Sequence, residues 1–287
     1  MAGTEWDAWI GGERAIRETL SAVPAERMAA TLDSLGADHP LGPGDGLPAL
    51  WHWLYFVPAV PLSKTGRDGH PERGDFLPPV PLPRRMFAGA RYDFRAPLRL
   101  GAEAVQTSRI RDVTEKTGRS GHLVFVSVVN EFSQDGKVCV VEEQDIVYRE
   151  DPGQQAGAKP APAPAPDVPL ALWEDRATPG EVMLFRYSAV TFNSHRIHYD
   201  LAYATGVEGY DGLVVHGPLT ASLLAEAAQK RADGPLTGFS FRGVSPLTHG
   251  TEIALRGIGT GEPGRIALEA RVAETGRLVM SAEARFG

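Results

Sequence analysis

The sequence predicts an α+β protein built twice from one unit, an apolar helix followed by an antiparallel meander. Three observations predict it. Alternating apolar residues recur near the end of each half, a stretch with apolar residues at helical spacing precedes each meander, and Lys159-Pro-Ala-Pro-Ala-Pro-Ala-Pro166 separates the halves. That run favours polyproline II and has too little apolar bulk to pack a core, so residues 151–169 read as a linker. At ~3.1 Å per residue it reaches on the order of 50 Å, enough to lay a second domain, 170–287, beside a first, 1–150.

Taken in order, Ala15 to Leu20 and Ala25 to Leu32 show helical spacing and are expected to form short helices joined near Pro24. Leu47-Pro-Ala-Leu-Trp-His-Trp-Leu-Tyr-Phe56 is the first apolar helix candidate, with Trp51 and Trp53 fitting a core better than a pocket wall. Lys64 to Leu82, rich in Gly, Pro and charge, reads as a long loop or lid. The first meander then runs Ala102 to Val113, His122 to Phe132 and Val138 to Tyr148, with turns at Gly118 and Asp135-Gly136. In the second half, Leu219, Leu223, Leu224, Ala227 and Ala228 share one helical face, with Pro218 suited to the first turn and Gly234-Pro235 beyond the end. Strands follow from about Thr251, notably Arg265 to Val272 and Leu278 to Phe286, with turns at Glu262-Pro-Gly264 and Glu274-Thr-Gly276.

The 287 residues are 43% hydrophobic and 23% charged, an ordinary soluble composition. A net charge of -7 gives no blanket attraction to nucleic acid or an anionic membrane, so neither is an expected partner. No run is long enough to span a bilayer and the N-terminus lacks a secretory pattern, so a cytoplasmic location is expected. The single cysteine, Cys139, sits in the strand-like Lys137-Val-Cys-Val-Val141; it has no internal disulfide partner and is assigned no catalytic role.

The chemistry gathers in Val190-Thr-Phe-Asn-Ser-His-Arg-Ile-His-Tyr-Asp200 and Val215-His-Gly-Pro218. Any one of His195, His198 and His216 is by itself more commonly a satisfied core or surface residue. Together with Asn193, Arg196, Tyr199 and Asp200, just ahead of a helix start, they form the convergence that acid/base chemistry requires. A helix start offers unpaired N–H groups and roughly half a positive charge, suited to an oxygen that gains negative charge. A rival reading makes His195, His198, Asp200 and His216 metal ligands, but His-x-x-His-x-Asp is a weak signal and no metal is expected.

These segments resemble the hydratase signature of the MaoC-like enoyl-thioester hydratases and dehydratases. There an acidic residue precedes the catalytic histidine by five positions and a His-Gly pair opens the central helix. The Thr-Phe-Asn-Ser-His-Arg-Ile-His-Tyr-Asp string, the Pro/Ala linker and Leu82-Pro-Arg-Arg-Met86 look most like the mesaconyl-CoA or itaconyl-CoA hydratase branch, which is similar to mitochondrial 3-hydroxyacyl-thioester dehydratase. The resemblance implies a double hotdog, two antiparallel sheets each wrapped around a central helix and set side by side, and reversible hydration of a 2-enoyl-CoA. It places His198 as the catalytic histidine and Gly217 as the residue whose N–H faces the thioester oxygen. It implies no cofactor beyond the CoA of the substrate, and a monomer or homodimer.

Asn193 stands where the wider family has aspartate, and an amide cannot act as a carboxylate base; it is expected to orient water or a histidine. His198 then handles both proton transfers, or His195 or Asp200 supplies the second group. A short branched or dicarboxylic acyl chain and the CoA phosphates call for cations, for which Arg84, Arg85, Arg196 and Arg242 are the candidates, with Tyr199 and His216 as further substrate-binding candidates. A carrier-protein dehydratase, an acyl-CoA thioesterase and a non-catalytic acyl-CoA binder are the alternatives, since one fold hosts all of these.

Overall fold

The computed structural model describes residues 5–118, 121–150 and 168–287, so most of the Pro/Ala linker lies outside the described residues. Ten strands, all antiparallel, form a single sheet in the order β1-β3-β4-β5-β2-β7-β10-β9-β8-β6. The first five are β1 (Glu13–Thr19), β2 (Arg84–Phe94), β3 (Glu103–Gly118), β4 (Gly121–Gln134) and β5 (Lys137–Arg149). The second five are β6 (Trp173–Ala177), β7 (Leu236–Gly243), β8 (Ile253–Gly259), β9 (Arg265–Val272) and β10 (Leu278–Phe286). Exchanging β1 for β6, β2 for β7 and so on to β5 for β10 reverses the order onto itself. The chain is thus a duplicated unit, a double hotdog, whose two sheets merge at β2 and β7.

Local chemistry accounts for most of these strands. Buried and half-buried residues alternate along β4, the period of a strand with one face on the core. Asp135 (φ 49°) and Gly136 (φ 74°) both take the left-handed region that a two-residue hairpin demands, so β4 turns directly into β5. At the merger, Ala90 and Tyr92 pair with Phe241 and Phe239, and the Phe87 and Phe241 rings stack at 5.6 Å. Gly89 is required there: a Cβ would lie 2.4 Å from the Phe241 carbonyl oxygen, and a bulge shifts the register beside it.

Two expected helices differ. Ala15 to Leu20 lies largely in β1, an edge strand pairing with β3, and only half of each of its residue pairs is even partly buried. Six residues with such a thin apolar pattern fit either period, and sheet pairing decides. Helix α1 (Ala22–Leu32) follows, and Pro24 falls in its first turn, where a missing N–H breaks no helical bond. The stretch from Leu47 to Phe56 forms only a 3-10 turn over Trp51–Leu54, because Pro48 precedes it and Leu50 (φ 69°) and Phe56 (φ 59°) take left-handed backbone on either side. Trp51 is buried in the main core.

The second half carries α2 (Glu181–Val190), α3 (Leu201–Gly206) and the long central helix α4 (Gly217–Gln229). Every residue of α4 from Leu219 to Ala228 is buried, and the helix packs on β7, β8, β9 and β10. Its one buried charge, Glu226, is fully partnered: it accepts from Trp51 Nε1 at 2.9 Å and the Ala37 N–H at 2.8 Å, and meets His39 Nε2 at 2.9 Å. These bonds tie α4 to the first half, where a 3-10 turn, Trp51–Leu54, is the last helical piece of the apolar stretch before the lid. Between the Trp51–Leu54 turn and the end of α4 lies a cavity of about 680 Å³, bordered by Leu47, His52, Phe94, Glu226 and Leu236. Among the described residues, no helix is long and apolar enough to cross a membrane.

Candidate active site

Helix α2 ends in a left-handed residue, Phe192 (φ 49°), and the Asn193 N–H returns to the Ser188 carbonyl at 2.8 Å. This six-to-one closure stops the helix and reverses the chain. Asn193 then turns it again: its Oδ1 accepts the His195 N–H at 3.0 Å. The amide is therefore occupied in shaping the loop that carries His195 and His198.

His198 sits in a 3-10 turn, Arg196–His198, that is pinned from below by the Val214 N–H on the Ile197 carbonyl at 2.9 Å. Its Nδ1 lies 2.7 Å from the Val214 carbonyl oxygen. A carbonyl only accepts, so Nδ1 carries the hydrogen and the lone pair of the neutral ring is on Nε2. Burial lowers the His198 pKa to about 4, against the raising effect of the Val214 bond, so the ring is a neutral base around pH 7. Its face stacks on His216 with 3.6 Å between centroids. His216 is fully buried beside Tyr187; its Nε2 meets Ser188 Oγ at 2.8 Å and its Nδ1 has no hydrogen-bond partner.

His216 is also the residue before α4, and Gly217 is the helix's first residue. Pro218 has no N–H to offer, so the free donors at this end are concentrated on its neighbours. A Cβ built on Gly217 would meet nothing within 4 Å, so the backbone there is open to a ligand. The stacked histidines thus lie beside an accessible helix N-terminus.

The lid that the sequence places between Lys64 and Leu82 closes over this loop. The Arg196 N–H donates to the Asp68 carbonyl at 2.9 Å, and Arg196 Nη1 to the Arg67 carbonyl at 3.1 Å. Gly69 (φ 89°) packs so tightly that a Cβ would stand 2.0 Å from the Ser194 carbonyl oxygen. With the lid come two residues that sequence reasoning missed, Asp68 and His70. His70 Nδ1 meets Asp68 Oδ2 at 2.9 Å, and its ring lies 4.1 Å from that of His195, which stands edge-on to His198 at 5.4 Å. Burial, with the Arg85 charge behind it, lowers the His70 pKa; burial and the neighbouring His70 lower that of His195. Burial raises the Asp68 carboxyl, but the hydrogen bonds and charge of His70 outweigh it and hold the group ionised.

Asp68, His70 and His195 also form the one group among the described residues whose donor atoms, all within 4.8 Å of one another, could hold a metal. The set read from His-x-x-His-x-Asp is not the one brought together. Asp200 is the N-cap of α3, accepting from the Tyr203 N–H at 3.0 Å and pairing with Arg196 at 2.7 Å.

The expected cations fall into distinct places. Arg84 is buried and meets Glu208 Oε2 at 3.3 Å and its carbonyl at 2.7 Å. Arg196 is held by Asp200 and lies over the Tyr203 ring at 4.2 Å. Arg242 is exposed on β7, opposite Gly89, and Tyr199 is exposed with its hydroxyl on the Ser194 carbonyl at 3.1 Å. Arg85, half-buried, borders a cavity of about 430 Å³ with Asp68, His70, Tyr203 and Glu208.

This geometry has company among known proteins. Over its full length the chain is 46% identical to the mesaconyl-C(4)-CoA hydratase of Chloroflexus aurantiacus, the match spanning 295 aligned positions and all of that protein. A MaoC-like dehydratase of Phytophthora capsici superposes with a TM-score of 0.70 at 15% identity, covering 96% of both chains. A Mycobacterium tuberculosis protein described as a double hotdog superposes with a TM-score of 0.55 at 15% identity, again over 96% of both chains. The family model of hydroxyacyl-thioester dehydratase type 2 matches residues 50–249, a span that runs from the Trp51–Leu54 turn through the lid, the histidine loop and α4, and the chain belongs to that family.

Proposed function

We propose that the chain reversibly hydrates the double bond of a short 2-enoyl-CoA, with mesaconyl-C4-CoA or a close dicarboxylic analogue as the substrate. The observation that carries the reading is the bond from His198 Nδ1 to the Val214 carbonyl, 2.7 Å, which leaves the Nε2 lone pair free beside the open start of α4. In the hydration direction, His198 Nε2 takes a proton from water as the water oxygen bonds to the β-carbon. The electron pair of the double bond moves to the thioester oxygen, where the Gly217 N–H and the helix dipole stabilise the enolate. The enolate then collapses by taking that proton at the α-carbon from the His198 imidazolium. Hydrogen and hydroxyl have been added, and the ring is neutral again.

This one-histidine cycle needs no carboxylate at position 193, which fits an Asn193 occupied with the His195 N–H. The lowered pKa of His198 serves the second step, since a buried imidazolium gives up its proton readily. The cycle calls on no metal and no redox cofactor. It is tested by following the conjugated-thioester absorbance of crotonyl-, mesaconyl- and itaconyl-CoA with purified protein, with free thiol assayed in parallel. Absorbance loss without thiol is the expected result; thiol release would make the protein a thioesterase.

A further inference from the structure

We propose that Asp68, His70 and His195 form a binding site for a divalent ion of the zinc class, and that the ion clasps the lid to the histidine loop. The site stands apart from the hydratase reading, and its tests need no turnover. Two imidazoles and one carboxylate make a nitrogen-rich set, which suits zinc, cobalt(II) or nickel; magnesium and calcium call for oxygen ligands. One donor atom from each residue lies within 4.8 Å of the other two, and His70 Nδ1 is already 2.9 Å from Asp68 Oδ2. A tetrahedral ion with bonds of roughly 2.1 Å sets its donors about 3.4 Å apart, so side-chain rotations on the order of an ångström assemble the site. This is not the set of His195, His198, Asp200 and His216 that the motif suggests. There Asp200 is taken by the Tyr203 N–H and Arg196, and His198 Nδ1 by the Val214 carbonyl.

The frame for these ligands is built by the backbone. Asp68 and His70 lie on a tight turn closed by the Gly66 N–H on the His70 carbonyl at 2.7 Å and the Gly69 N–H on the Gly66 carbonyl at 3.0 Å. The His70 N–H donates to Asp68 Oδ1 at 3.0 Å and holds the carboxylate toward the histidine. The turn docks on the loop through the Arg196 N–H on the Asp68 carbonyl and Ser194 Oγ on the Gly69 carbonyl, so His195 is carried between the two anchors. The His195 ring has two imidazoles for neighbours, His70 at 4.1 Å and His198 at 5.4 Å, and ring contacts leave its nitrogens for a ligand. Asp68 is held ionised and both imidazoles neutral, the states in which such groups bind metal. Asp68 and His70 also border the cavity of about 430 Å³, which gives an ion its way in and leaves a fourth position for water or an anion. Arg85 on the same cavity opposes a dication, so the affinity falls short of a dedicated zinc site and an anionic fourth ligand is favoured.

The test titrates zinc chloride into full-length protein freed of metal with EDTA, read by calorimetry, and repeats the titration with cobalt(II), whose visible absorption reports tetrahedral coordination. One ion per chain is expected in the wild type and in His198→Ala. Asp68→Asn, His70→Gln and His195→Gln should each weaken binding about 100-fold. Circular dichroism checks that the variants fold, and Asp68→Asn, which keeps the size of the side chain, decides if a histidine variant does not. Binding that survives all three substitutions, or that is lost in His198→Ala, places the ion elsewhere and overturns the site, as does the lack of saturable binding below about 1 mM zinc. Saturating zinc should also slow limited proteolysis within residues 64–82 and raise the melting temperature of the wild type but of none of the three variants. An ion bound through these residues that leaves cleavage of the lid unchanged overturns the clasp.

Discussion

The imidazoles of His198 and His216 lie face to face, 3.6 Å apart and 20° from parallel, and each is buried. Neither can hold a charge cheaply, because burial lowers the pKa of both and a proton on His198 further lowers that of His216. One polar anchor apiece fixes the stack: the Val214 carbonyl for His198 and the Ser188 hydroxyl for His216. The stack therefore presents a neutral, immobile Nε2 at the mouth of α4.

If that atom is the base, His198→Ala lowers kcat by at least ~10³-fold with circular dichroism unchanged. In the wild type, kcat/KM falls only as pH drops through about 4, where His198 gains its proton. An acid limb near 6.5, the unperturbed histidine value, in the pH profile would contradict the assignment.

The same shift has a stability consequence. His198 titrates near 6.5 in the unfolded chain and about 4 in the folded one, so between those values the unfolded state holds more protons. Stability present above pH ~6.5 is lost as pH falls toward 4, on the order of 3 kcal/mol from this ring alone. His70, His195 and His216 shift in the same direction and add to the loss. Melting temperature measured against pH should drop steeply across this window, whereas a flat curve would mean that the histidines are not buried neutral.

Gly217→Ala separates fold from function. No atom lies within 4 Å of the added methyl, so the melting temperature should hold. The methyl would occupy the space in which the thioester oxygen meets the helix start, and kcat/KM should fall about 100-fold. Full activity in this variant would move the oxyanion site elsewhere.

Asn193→Asp restores the carboxylate of the wider family while keeping an acceptor for the His195 N–H. Activity and its pH profile are expected to stay as in wild type, because the side chain shapes the loop. A new ionisation in the kcat/KM profile would show that position 193 takes part in proton transfer.

Gly69→Ala should unseat the lid. The new Cβ would stand 2.0 Å from a backbone oxygen of the histidine loop, and φ of 89° disfavours any side chain. Displacing the lid by an ångström or so should cost kcat/KM on the order of 100-fold. Limited proteolysis within residues 64–82 should accelerate, with the melting temperature little changed; unaltered cleavage would mean that the lid is held by other contacts.

What the sequence reveals and what it hides follow from distance along the chain. Strand periodicity placed β9 and β10 to the residue, and the helix starting at Gly217 was legible because Pro218 and a one-sided run of leucines are local signals. The loop from Asn193 to His198 was legible as a motif. Asp68 and His70 were not, since their meaning comes from a contact between the lid and a loop 129 residues away, as between Arg67 and Arg196. Asp68-Gly-His70 in a Gly/Pro-rich stretch leaves no periodic trace, and only a histidine inside a presumed lid hinted at it. The segment around Trp51 misled for another reason: its composition is helical, but left-handed backbone at Leu50 and Phe56 reflects packing that propensity does not encode.

The first half has no counterpart of α4 among the described residues, and this bears on why the two units share one chain. When identical units pair by symmetry, every substitution is written into both, and a unit cannot shed its central helix without destroying its twin's. Covalent fusion breaks that copying rule. Here one copy carries the thirteen-residue α4 with His195, His198 and His216, while the other carries a four-residue turn and the lid, and the two together line a cavity of about 680 Å³. Within one chain each copy is free to take a separate task, and the structure shows the division: the second half carries the histidine loop and α4, and the first half carries the lid that closes on them.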